Sequence, residues 1–291
     1  MTLITEHPDG LGYVVLYGTT DSQHVTYAEA QTMMDKHRLV AELTPPTKPR
    51  AYSRAVAASE SRDRIARNVA NDNSKKVVRF FHPQQEVGKE DVVWPAEDRV
   101  IFDKKTENIV VEGGSYKEQL EEDFDHFSTH LTGDDIRRMA RDVVERLDGV
   151  SLRGSVDVQD AGGTYFVPIQ HREQLEALGN VLEDLHVGYL RAFGVIRGPA
   201  EQFQVAIQAE FAIERQITDI VRSLSKLKSR LAAATSYRKQ LERLREQLRY
   251  YAKLGGRETS AELQKKVDRA LMLADAKIVA LSPKPKKAKK R

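Results

Sequence analysis

Cysteine is absent from all 291 residues. A disulfide framework, a thiolate nucleophile and a zinc–thiolate site are thereby excluded, and the absence fits a reducing, cytoplasmic setting. No stretch approaches the roughly 18 consecutive apolar residues that a membrane span needs. The first nine residues lack the basic-then-apolar order of a secretory signal, so no export is expected. Catalytic signatures are missing too. There is no H-E-x-x-H, no G-x-G-x-x-G and no phosphate loop with a following Lys-Ser/Thr. No Ser/His/Asp order, nucleophile elbow or paired-carboxylate motif stands out. The chain reads as a non-enzyme, with no cofactor, no metal site and no catalytic residue expected.

What is present is charge, unevenly spread. Hydrophobic residues make up 40% and charged residues 31%, a balance that suits elongated helices better than one large globule. The net charge is +3, yet the last eight residues alone carry six positive charges, so the rest of the chain is net negative. Residues 222–257 hold eleven Lys or Arg against Glu242 and Glu246, whereas residues 112–148 hold eleven acids against five basic residues. A polyanion is therefore expected at the C-terminal end.

The length allows about two domains, and the pattern divides more finely. Residues 1–44 read as a strand (11–17, LGYVVLY) and a helix opened by the capping box Thr26/Glu29. Pro45, Pro46 and Pro49 mark a linker. Residues 45–112 then hold a helix over 51–70 and short strands at 76–81, 92–94, 99–103 and 108–112, a small antiparallel sheet. Tyr13, Tyr17, Phe80, Phe81, Trp94 and Phe102, all in β-type segments of these two parts, are candidate core aromatics. Residues 113–198 read as helix (116–131), helix (132–147), a strand pair around the 159–163 turn, and a helix over 169–192. The fold class is α+β: a mixed N-terminal part with short antiparallel strands, followed by a long coiled-coil-like helical hairpin.

That hairpin, residues 199–281, rests on a seam. Ile213, Ile217, Ile220, Leu224, Leu227, Leu231 and Ala234 recur in alternating steps of four and three, and after a slip at Tyr237 the pattern resumes at Leu241, Leu244, Leu248 and Tyr251. One helix over 199–254 would span on the order of 80 Å. Gly255-Gly256 stops it, and Thr259/Glu262 opens a second helix that folds back antiparallel. The seam over 203–224 extends beyond that cover and must be buried by the rest of the chain or by a second copy. Residues 282–291 form a proline-interrupted basic tail.

Three constellations bear on chemistry. The order of elements over 108–167 is that of a winged helix-turn-helix, with Arg137, Arg138, Arg141 and Arg146 on the second helix. Its acids (Glu121, Glu122, Asp123, Asp125, Asp134, Asp135) favour an ordinary α+β core instead. Asp123, His126 and His130 have metal-ligand spacing but lack a general base. Residues 162–168 (GGTYFVP) suggest a core hairpin or an aromatic surface that stacks bases.

The same GGTYFVP segment, with Arg153 upstream and the segment 51–55 (AYSRA) after the prolines, resembles a group of uncharacterised bacteriophage and mobile-element proteins with a Gly-Gly-x-Tyr-Phe-Val-Pro core. The resemblance implies a viral or plasmid context and supplies no activity. The expected function is a phage-like oligomeric protein that associates with nucleic acid, self-assembles through the seam and touches no membrane. Phosphate contacts are expected from Arg238, Lys239, Arg243, Arg245 and Arg249, and from Lys284, Lys286, Lys287, Lys289, Lys290 and Arg291. The alternatives are an interaction protein that inhibits or scaffolds a host protein, with the acidic 112–148 surface as a mimic of nucleic acid, and a metal-dependent enzyme.

Overall fold

The computed structural model describes residues 3–4, 10–20, 25–62, 64–81, 84–85, 92–93, 96–113, 116–152, 163–256 and 258–282. The chain runs β1 (Leu3–Ile4), β2 (Gly10–Thr19), α1 (Tyr27–Lys36), α2 (Lys48–Ala58), β3 (Ile65–Asn71), β4 (Lys75–Phe81), β5 (Gln84–Gln85) and β6 (Val92–Val93). It continues through β7 (Ala96–Asp103), β8 (Asn108–Glu112), α3 (Lys117–Thr129), α4 (Gly133–Arg146), β9 (Val150–Ser151), β10 (Gly163–Pro168) and α5 (Arg172–Asp184). It ends with β11 (Gly188–Ile196), α6 (Pro199–Lys226), α7 (Leu231–Leu254) and α8 (Ala261–Leu281). The fold is α+β. Contacts divide the chain into two units: Thr19–Met139 with Asp184–Val187, and Met1–Gly18 with Ala140–Glu183 and Gly188–Arg291.

In the first of these units, β3-β4-β7-β8 form an antiparallel sheet. Phe80, Val100 and Phe102 from the sheet pack with Tyr52 of α2 and with Leu120, Phe124 and Phe127 of α3. The Tyr52 and Phe102 rings lie 5.2 Å apart. The β3–β4 turn is built by Asp72, whose Oδ1 accepts from the Ser74 and Lys75 backbone N–H groups. Thr26 and Glu29 form the expected capping box. Asp135, with a side chain only 6% exposed, accepts from the Thr132 backbone N–H and hydroxyl and pairs with Arg54 at 2.7 Å. Burial pushes its carboxyl up, but these bonds and the guanidinium outweigh burial and hold it below the ordinary value.

In the second unit a five-stranded sheet has the order β1-β11-β2-β10-β9. β10 runs antiparallel to both β2 and β9, and β1 runs parallel to β11. Side chains alternate between the two faces. Phe166 of β10, register partner of Val14, is fully buried with its ring 6.2 Å from Tyr251 of α7. Tyr165 takes the opposite face, stacked on Tyr17 at 6.0 Å. Gly12 makes the first contact possible: a Cβ there would sit 2.4 Å from the Val167 carbonyl oxygen and 2.5 Å from the Phe166 ring. The Tyr251 hydroxyl donates to the Asp148 carbonyl at 2.7 Å, and Gln247 donates to the Asp148 side chain, which ties α7 to the turn after α4.

The helices α6, α7 and α8 form a three-helix bundle. This differs from the single helix expected over 199–254. The chain leaves the helical path at Leu227, a full turn or more before the slip at Tyr237, and α7 returns antiparallel to α6. Lys277 of α8 donates to the Leu227 carbonyl, an acceptor that the broken helix leaves without an intrahelical partner. Lys266 pairs with Glu214, so α8 runs alongside α6 in the same direction. Ile213, Ile217, Ile220 and Leu224 are thereby buried by the chain's own helices. Of the two expected covers for the seam, the rest of the chain supplies the one over residues 213–224, while Phe203 and Phe211 of α6 stay exposed.

Two more expected helices are cut short by strands. Residues 51–70 divide into α2 and β3, with the break at residues 59–64. Residues 169–192 begin with a short 3-10 turn and α5, and end in β11. The winged-helix reading also fails. β8 belongs to the four-stranded sheet, whereas β9 and β10 belong to the five-stranded one.

Candidate nucleic-acid interface

The five basic residues expected to form one phosphate-binding face on α7 do not share a role. Arg238 donates to Asp275 of α8 at 2.6 Å and to Glu242 at 2.7 Å. The Asp275 hydrogen bond, then the nearby carboxylate charges, raise its already high pKa. Arg238 is a strut between α7 and α8. Arg243 points to a polar cleft of about 350 Å3 lined by Asp142, Glu145, Gln216, Ser236 and Gln240. Its guanidinium lies 3.9 Å from Glu145, whose carboxyl is pushed up by burial. Arg245 and Arg249 both approach Glu246, at 3.9 and 3.1 Å. Only Lys239 of the five is exposed with no ion pair among the described residues. The physical reason is local supply: the carboxylates of α4, α8 and α7 itself lie within reach of the arginines. The six tail residues Lys284, Lys286, Lys287, Lys289, Lys290 and Arg291 lie outside the described residues.

The break in the helix creates a different basic site. Lys226 ends α6, and Lys228 and Arg230 lie in the connection to α7. All three are exposed and make no ion pair among the described residues. Lys277 reaches the same turn from α8, and α8 ends there at Leu281, so the cationic tail departs from this tip. In a single helix over 199–254 these three residues would lie around a shaft; the break gathers them at a turn. The signal available in the sequence was the K-L-K-S-R run at residues 226–230, which interrupts the seam with three cations in five residues.

The remaining candidates resolve into structure. Of the GGTYFVP aromatics, Phe166 is buried against Tyr251 and the half-buried Tyr165 is stacked on Tyr17. Arg137 pairs with Asp134, and Arg141 hydrogen-bonds to Tyr17. His126 and His130 do meet, with rings stacked 4.0 Å apart. Among the described residues, no three His, Asp or Glu side chains are grouped so that they could hold one metal ion. No described helix is long and apolar enough to cross a membrane.

No curated protein and no solved structure matches this chain. One family does, over nearly the whole length: residues 10–279 match DUF6744, a family of unknown function, and the chain belongs to it.

Proposed function

We propose that this chain is a non-enzymatic nucleic-acid-associated protein of bacteriophage or mobile-element origin, and that its contact region is the basic tip of the three-helix bundle together with the tail. One observation carries the reading. Lys226, Lys228 and Arg230 cluster at the turn from which six more cations depart within nine residues. Clustered cations release the condensed counterions of a nucleic acid on binding, which supplies affinity without a fixed geometry. The origin rests on the GGTYFVP resemblance. Arg238 and Arg243 are left out of the contact set, since each is already engaged by a carboxylate.

The test is binding of a labelled oligonucleotide across a salt series. Strong retention at low salt is expected, falling steeply as salt rises. Deleting residues 283–291 is expected to flatten the plot of log affinity against log salt by up to about 4, at about 0.7 per phosphate contact on a single strand. The triple change Lys226→Glu, Lys228→Glu, Arg230→Glu flattens it further. Full-length protein that retains neither DNA nor RNA at low salt sinks the reading.

A further inference from the structure

The strand β11 has an open face. Its burial alternates: Leu190 and Ala192 are 0% and 1% exposed, whereas Tyr189 is 51% and Phe193 48% exposed. Arg191 stands between the two rings on the same face, with its guanidinium 5.3 Å from the centre of the Tyr189 ring. The ring of Tyr189 lies across the neighbouring strand β2. A Cβ on Gly18 would come within 2.7 Å of it, so that glycine lets the ring lie close to the backbone. Leu16, two residues earlier on β2, is also exposed, at 37%. At the far end of the row Val195 is half-buried against the bundle core, which closes the open part of the face.

Charge singles out one kind of occupant. The chain has 43 acidic residues, yet residues 10–20 and 188–198 contain none, while Arg191 and Arg197 are both exposed. A face with two aromatic rings, an intervening guanidinium and no carboxylate on its strands suits bases and phosphates together. Aromatic rings on an open sheet face stack unpaired bases, and a guanidinium between them stacks or pairs with phosphate. A duplex keeps its base faces inside and cannot use such rings. We infer that the β11 face is a stacking platform for a single-stranded nucleic acid, with Tyr189 and Phe193 each taking a base and Arg191 a phosphate of the backbone between them. The inference rests on the proposed nucleic-acid association and adds the strandedness of the ligand.

The experiment compares full-length protein binding to a labelled 20-nucleotide single strand and to the duplex of the same sequence. Wild type is expected to prefer the single strand. Tyr189→Ala/Phe193→Ala is expected to lose at least about 25-fold in single-strand affinity, from a range of about 5- to 150-fold for each of the two lost stacks, with duplex binding unchanged. Tyr189→Phe keeps the wild-type affinity. A double variant that binds both ligands as wild type does overturns the platform and leaves the basic tip standing. Absence of binding by the wild type to either ligand removes both. Should the double variant fail to fold, photocross-linking of wild type to a 4-thiouridine oligonucleotide decides: adducts on the 188–197 peptide are expected, and adducts confined to the tip and tail overturn the platform. Concentration-dependent self-association that the double variant abolishes assigns the face to a second copy and also overturns it.

Discussion

Arg64 is 3% exposed, and its guanidinium lies between two rings, 3.9 Å from the centre of Phe80 and 3.7 Å from that of Tyr116. One of its N–H groups donates to the Ser59 carbonyl. The planar cation fills a slot that a tetrahedral ammonium cannot. Arg64→Ala is expected to lower the stability of its unit by about 2 kcal/mol or more, and Arg64→Lys to recover less than half of that, both read by urea denaturation. Asp135 gives a prediction of opposite character. Its folded pKa lies below the unfolded value, so its stabilising contribution is complete above about pH 4 and is lost as pH falls through the lower, folded value. Asp135→Asn removes that acid sensitivity from the melting curves. It also costs about 3–5 kcal/mol near neutral pH, because Arg54 is left without its partner.

At the scale of elements, close approach matters more than propensity. Gly12 sits where β2 meets Phe166, and Gly12→Ala is expected to cost about 1–3 kcal/mol by overpacking against backbone, measurable as a lower denaturation midpoint. The elements legible in the sequence are those that declare themselves locally: β2 by its apolar run, α1 by Thr26 and Glu29, the α7–α8 turn by Gly255-Gly256. Those misread depend on distant partners. β3 continues the Ala- and Arg-rich segment 51–70, which resembles a helix, and becomes a strand through its pairing with β4. β11 does carry a signal, the alternation of Tyr189, Arg191 and Phe193 between Gly188 and Gly194, but it follows a genuine helix with only three residues between them. The turn after α6 is held by Lys277, 50 residues away, and no local pattern reports that bond. The candidate interface was legible as net charge and illegible as geometry, since Arg238 finds its acid on α8 and Arg243 finds its own on α4.

For the molecule as a whole, sequence order and spatial order diverge. The five-stranded sheet draws on the beginning, middle and later parts of the chain, while the four-stranded sheet is assembled from one stretch, residues 65–112. The central position of β2 has a consequence for biosynthesis. Its neighbours β10 and β11 are made much later, and at about 5–20 residues per second the ribosome needs roughly 10–35 s to reach them. Throughout that interval the nascent chain carries LGYVVLY with both hydrogen-bonding edges bare, a segment of the kind that chaperones hold and that otherwise seeds aggregates.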